Sequence, residues 1–243
     1  MLKFDISHQQ GLARVGVIHT PHGDIKTPAF IGAATRATVK ALTMQEMRAL
    51  GSQAILANTY HLILRPGSDL VAEAGGLAEF SSWHGPTFTD SGGFQIFSLP
   101  NVKISEQGVK FKSHIDGRNF EMTPESSMRD QWKIGADIHM AFDHLAKSEN
   151  YEAMKAAMER THRWLDRCVD EHERIKNLGF CAGREQYLYA VVQGGTFNDL
   201  RAESARYCAS KPVDGFGIGG VFTADGMAEM LKTVNNILPE DKP

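Results

Sequence analysis

Residues 187–220 read YLYAVVQGGTFNDLRAESARYCASKPVDGFGIGG. The six apolar and aromatic residues 187–192 read as a strand, and Gln193-Gly194-Gly195 ends it. Residues 198–210 then read as a helix, and residues 216–219 as the next strand. Strand, helix and strand in so short a stretch make a βα unit, whose strands lie parallel in one sheet.

The same alternation extends in both directions. Strands are predicted at residues 27–32, 53–59, 87–91 and 137–142, and helices at 43–50, 68–74, 124–133, 150–178 and 224–237. Thr43 with Glu46 forms a capping box, and Thr123-Pro124 supplies a cap followed by an N1 proline. Residues 3–7 and 13–20, with the turn signal at 21–24, predict an opening hairpin. Residues 102–120, with turn residues at Gln107-Gly108 and Asp116-Gly117, predict a second hairpin inserted after strand three. The expectation is an α/β fold, a TIM (β/α)8 barrel that is incomplete at about six units, forming a single domain over residues 1–243. An open doubly wound sheet also fits six units, but no G-x-G-x-x-G follows the first strand. Residues 239–243 (PEDKP) read as a connection rather than an ending.

Composition narrows the class. The chain has 243 residues, is 42% hydrophobic and carries a formal charge of −3, which argues against a surface that binds nucleic acid throughout. An RNA footprint is then confined to one face or lies outside this chain. Cys168, Cys181 and Cys208 form no C-x-x-C pair and read as reduced packing residues, so no metal ligands are assigned. The ten histidines read as solvated or packing side chains. The charges between Glu152 and Lys176 read as a solvated helix face. The N-terminus lacks a signal-peptide core and no apolar run reaches the length of a bilayer span, so the expected location is cytoplasmic.

The ends of the predicted strands are unusually polar or glycine-rich. They carry Asn58-Thr59-Tyr60-His61, Asp90-Ser91-Gly92-Gly93-Phe94-Gln95, Asp143-His144, Gln193-Gly194-Gly195 and Gly217-Ile218-Gly219-Gly220. Each alone is explained as a turn or helix cap. In a barrel, however, all five fall at the end where chemistry sits. A converging pocket with Asp90, Asp143, Gln193 and glycine N–H groups suits a guanine-like base. One carboxylate accepts the adjacent N1–H and N2–H2 donors, while Gln193 and a glycine amide donate to O6. Phe94 is placed to stack on the base, and the second carboxylate is left for proton transfer or covalent chemistry.

These strings, with Met140-Ala141-Phe142-Asp143 and in this order and spacing, resemble the tRNA-guanine transglycosylase family over essentially the whole chain. The resemblance implies a TIM barrel that exchanges guanine at the wobble position of tRNAs with GUN anticodons for a 7-deazaguanine, preQ1 or queuine, by double displacement. It implies Asp90 as general acid/base and Ser91, Gly92, Gly93 and Phe94 as the pocket lining. Asp143 is implied at the N1 and N2 edge, and Gln193 with the backbone of Gly220 at O6. It further implies a homodimer and a Cys3His zinc site in the full-length family member. That zinc site, the tRNA-gripping loop and the nucleophilic aspartate are expected beyond the sixth strand, in a segment this chain does not contain. The chain alone is accordingly expected to be poorly stable and inactive. The alternative is a catalytically inactive paralogue or partner subunit that binds base or tRNA. Val221-Phe222-Thr223-Ala224-Asp225 and His144-Leu145 depart from the family's usual strings.

Overall fold

The computed structural model describes residues 1–146, 148–179, 185–220 and 224–243, with Ala224 and Asp225 as backbone only. Three antiparallel strands, β1 (Lys3–Gln10), β2 (Ala13–Thr20) and β3 (Gly23–Thr27), open the chain. They form a three-stranded sheet rather than the expected hairpin. The predicted strand at 27–32 is also corrected. Thr27 closes β3, Pro28 has no N–H to donate to a ladder, and the parallel strand β4 is only Gly32–Ala33.

The remaining order is α1 (Met44–Ala49), β5 (Ile55–Ala57), α2 (Thr59–Leu64), α3 (Ser68–Glu73), α4 (Leu77–Ser81), β6 (Thr87–Thr89) and α5 (Gly93–Ile96). Strands β7 (Lys103–Ile104), β8 (Val109–Lys112) and β9 (Asn119–Met122) follow. Then come α6 (Pro124–Ile134), β10 (Ile138–Met140), α7 (Tyr151–Asn177), β11 (Tyr187–Val192), α8 (Asn198–Ala209), β12 (Gly215–Ile218) and α9 (Ala224–Asn235). The inserted hairpin is therefore a three-stranded antiparallel meander, β7-β8-β9, because its two turns divide three strands. Helices α2, α4 and α5, of six, five and four residues, are too short for apolar periodicity to mark them in the sequence. The capping boxes at Thr43 and Thr123 are present as expected, and Asn150 caps α7 through its side chain.

Six strands form one parallel sheet in the order β4-β5-β6-β10-β11-β12, which is also their order in the chain. A doubly wound sheet would reverse direction partway, so that alternative falls. The sheet is open: among the described residues β4 and β12 do not pair, and no closed barrel forms. The backbone N–H of Phe216 on β12 donates to the carbonyl of Pro243 at 2.9 Å.

Alternation along β11 feeds two cores. Leu188, Ala190 and Val192 pack with Phe142, which follows β10, and with Trp132, Trp164 and Leu165 from the helical layer. Tyr187 and Tyr189 face the other way, with Phe88, Ile138 and residues Leu2, Ile18 and Ile25 from the opening sheet. That sheet is tied to the N-terminal ends of the parallel strands. Leu2 N–H donates to Asp214 at 2.9 Å, and His22 Nδ1 lies 2.6 Å from Asp137. The opposite, C-terminal ends are left for the site.

The charges of α7 are not a simple solvated face. Arg160 and Arg163 pair with Glu106, Arg167 with Glu125, and Glu171, itself buried, with Arg129 and Arg174. These pairs clamp the meander and α6 onto the long helix, a tertiary use of charge that helical periodicity does not reveal. His139, His162 and His172 are packing residues, buried among aromatic neighbours. Burial holds His172 near about 4, so it remains neutral at physiological pH.

Candidate active site

Each polar string stands at the C-terminal end of its strand. Asp90 follows β6, Asp143 follows β10, Gln193 follows β11, and Gly219-Gly220 follows β12. Parallel register brings these ends together although the residues are separated in sequence by tens of positions.

Asp143 is the centre of the cluster, 9% exposed. Ser91 Oγ donates to its Oδ1 at 2.8 Å, and Gln193 Nε2 donates to its Oδ2 at 2.6 Å. Gly93 N–H donates to Ser91 Oγ at 3.2 Å, fixing the hydroxyl that serves Asp143. Burial pushes the Asp143 carboxyl up, and the two donors partly offset it. Each carboxylate oxygen has a second lone pair, so acceptor capacity remains for a ligand.

Asp90 is held on the neighbouring strand end. Thr59 N–H donates to its Oδ1 at 2.9 Å, Gly92 N–H to the same oxygen at 3.1 Å, and Asn58 Nδ2 to Oδ2. Asn58 also caps α2 by accepting from His61 N–H at 3.0 Å, so one side chain starts the helix and grips the carboxylate. Desolvation dominates the Asp90 carboxyl and raises it to about 6, against the pull of those three donors, with Asp143 adding to the rise. A carboxyl near 6 exchanges protons readily close to neutral pH, which suits a general acid/base.

The chain's glycines are required where the backbone turns tightly at the site. Gly92 (φ +79) lies against the backbone of Tyr60, and a Cβ at Gly194 (φ +127) would stand 2.7 Å from the Arg201 amide. A Cβ at Gly220 (φ +96) would meet Arg201 Nη2 at 3.0 Å and Gln193 Oε1 at 3.1 Å.

Asp90, Ser91, Gly92, Gly93, Asp143 and Gln193 thus share one region, and Gly220 borders it. Phe94 stands at the rim with 61% of its surface exposed. Asn58 and Thr59, within the polar strand-end string, turn out to be the partners of Asp90. Arg201, Ser204 and Gln131 were missed. Ser204 Oγ accepts from Gln193 N–H at 3.1 Å, and Gln131 links Thr89 to Met140 across the strand ends. The spacing of Leu200, Arg201, Ser204, Ala205 and Cys208 puts Arg201 on the buried face of α8, the one signal that could have found it. A separate hollow of about 920 Å³, lined by Asn101, Lys103, Lys112, His114 and Phe120 among others, lies in the meander and includes none of these residues.

No group of three or more His, Cys, Asp or Glu that could hold a metal occurs among the described residues. Cys168 and Cys208 are buried singly, with no ligand group around either among the described residues, so they do not fit a zinc site; burial pushes both thiols up to about 12. Cys181 and the segment 221–223 lie outside the described residues. No helix among the described residues is long and apolar enough to cross a membrane.

An in-order parallel α/β sheet with two carboxylates and an amide gathered at its C-terminal edge defines a class of enzyme-like, ligand-binding α/β proteins. Within that class the chain belongs to the queuine tRNA-ribosyltransferase (TGT) family, whose model matches residues 8–243. It is 51% identical to a queuine tRNA-ribosyltransferase of Herpetosiphon aurantiacus over 99% of this chain and 60% of that protein. A relative of the same name from Desulforamulus reducens is 45% identical, covering 100% of this chain and 64% of the relative. One from Staphylococcus aureus is 42% identical over 97% of this chain and 61% of its own length. The chain therefore spans somewhat under two thirds of the curated relatives it matches.

Proposed function

We propose that this chain carries the base-binding pocket and the general acid/base of a tRNA-guanine transglycosylase. In this reading the complete protein is a pentosyltransferase that exchanges guanine at the wobble position of GUN-anticodon tRNAs for a 7-deazaguanine, preQ1 or queuine. The observation that carries the reading is the Asp143 carboxylate, held by Ser91 and Gln193 with acceptor capacity to spare. Guanine offers adjacent N1–H and N2–H2 donors, which one carboxylate accepts together. The second N–H of the Gln193 amide and the Gly220 amide then serve O6.

Asp90 has the proton affinity for the second role. Protonated, its carboxyl gives a proton to the departing base; ionised, it takes one from the incoming base. The nucleophile of the double displacement, the zinc site, the tRNA grip and a homodimer contact are assigned to the rest of a full-length family member. The six in-order strands are proposed as part of a single (β/α)8 barrel domain. The pairing of Phe216 with Pro243 on the outer edge of β12, where a seventh strand would lie, supports this.

Calorimetric titration of guanine into the complete protein and its Asp143→Asn variant tests the pocket. Loss of one charge-assisted hydrogen bond is worth about 1.5–3 kcal/mol, so the variant is expected to bind at least about tenfold more weakly. Equal affinity overturns the role of Asp143.

A further inference from the structure

Arg201 on α8 is fully buried, and its guanidinium has no carboxylate partner among the described residues. Desolvation lowers it to about 10, with no compensating charge. Its contacts are three backbone carbonyls. Nε donates to Gly195 at 2.8 Å, and Nη1 donates to Val192 at 2.9 Å and to Gly219 at 2.6 Å. Nη2 is buried without a hydrogen-bond partner among the described residues and lies 3.0 Å from where a Cβ on Gly220 would stand. A buried cation that is neither paired nor fully bonded among the described residues costs stability, so its place here calls for a functional reason.

The geometry points to that reason: we infer that Arg201 is the positioning residue that aims and polarises the Gly220 N–H at the O6 of the bound base. This role of Arg201 rests on the proposed base pocket. In a trans peptide the C=O and the following N–H point in opposite directions. With the Gly219 carbonyl drawn onto Arg201, the Gly220 N–H is turned to the far side, away from the helix. A charge-assisted bond to that carbonyl also strengthens the donor at the other end of the same peptide. The remaining two bonds hold the ends of the Gln193-Gly194-Gly195 loop, so the second O6 donor, Gln193, is fixed by the same guanidinium. Arg201 thus sets both O6 donors without touching the base, and its uncompensated charge favours electron density gathering on O6 as the base departs.

The test uses the complete protein with guanine and 6-thioguanine. Both bases offer N1–H and N2–H2 to Asp143, but sulfur is the weaker acceptor at position 6. Arg201→Met is expected to reduce the guanine-over-thioguanine preference by about two- to tenfold, at most the worth of the one neutral hydrogen bond from Gly220 to O6. Arg201→Lys, which keeps the charge but cannot span three carbonyls, is expected to restore part of it. A residue with only a structural role would weaken both bases alike and leave the ratio unchanged, and an unchanged ratio in Arg201→Lys and Arg201→Met overturns the proposal. Should Arg201→Met fail to fold, the ratio in Arg201→Lys decides. Asp143→Asn is the control. If it weakens both bases while the Arg201 variants keep the wild-type ratio, the pocket reading stands and only the Arg201 proposal falls. If it weakens neither, the pocket reading itself falls and this proposal with it.

Discussion

Gln193 and Asp143, fifty positions apart in sequence, share a 2.6 Å hydrogen bond in which the amide nitrogen donates to the carboxylate. The bond orients both groups before any ligand arrives. The carboxylate keeps a free lone pair on each oxygen, and the amide keeps one N–H, the groups that the proposed base pocket uses. Preorganisation of this kind lowers the cost of binding, because neither side chain has to be ordered by the ligand.

The Asp90 carboxyl makes stability pH-dependent. Its folded-state value, about 6, lies above its ordinary value of 3.8, so the folded protein binds the proton more tightly than the unfolded chain. Its contribution is fully favourable below 3.8 and is lost as pH rises through about 6. Denaturant titrations of the complete protein should show stability falling across that window, and Asp90→Asn should flatten the fall while abolishing base exchange. An unchanged slope in the variant would assign the dependence elsewhere.

Asn58 tunes the same group. Its amide donates to Asp90, and that bond pulls the carboxyl down. Asn58→Ser keeps a good cap on α2 and removes the amide donor. The pH limb of base exchange set by Asp90 is expected to move to higher pH, with little change in thermal stability. A limb that stays in place, or moves down, refutes this account of the Asp90 environment.

Gly194 is irreplaceable for two reasons at once. It sits at φ +127, and a Cβ there would stand 2.7 Å from the Arg201 backbone nitrogen. Gly194→Ala should cost several kcal/mol, backbone strain of about 1–3 kcal/mol plus the displacement of α8. Gly11, at φ +58 with nothing within 4 Å of its added Cβ, is the comparison, and Gly11→Ala should cost about 1 kcal/mol. Chemical denaturation of the two variants side by side gives the difference; equal losses would mean that the close approach at Gly194 is unimportant.

Trp164 joins the meander to the main body. Its ring stacks on Phe142 with centroids 5.0 Å apart, and its indole N–H donates to the Glu106 carbonyl at 2.9 Å. Trp164→Ala should destabilise the protein by about 3–5 kcal/mol, as for other large buried aromatics. Limited proteolysis of the variant should then cut first between β7 and β9. Cleavage there at the wild-type rate would show that the meander is held by its other contacts, the buried Val109, Phe111 and Met122 and the Glu106 ion pairs, without need of Trp164.

What the sequence settled by itself was local. The period of apolar residues placed β11, α7 and α8 almost to the residue. Thr43-Glu46, Thr123-Pro124 and Asn150 carry their helix starts within four positions, so no distant contact is needed to read them. The polar strings at the strand ends were equally visible, and with them the list of candidate site residues. Only the tertiary structure decided how they meet. Parallel register sets Ser91 and Gln193 on the two oxygens of Asp143, and Asn58 with Thr59 on Asp90, contacts that span 31 to 52 positions. It also converted the charges of α7 from a solvated face into clamps, and turned two apparent hairpins into three-stranded sheets. Arg201 marks the limit most clearly. In the sequence it is one charge on a helix, and only the folding of β11 and β12 around α8 leaves it buried among three carbonyls, because desolvation and backbone convergence are properties of packing and not of any short stretch of chain.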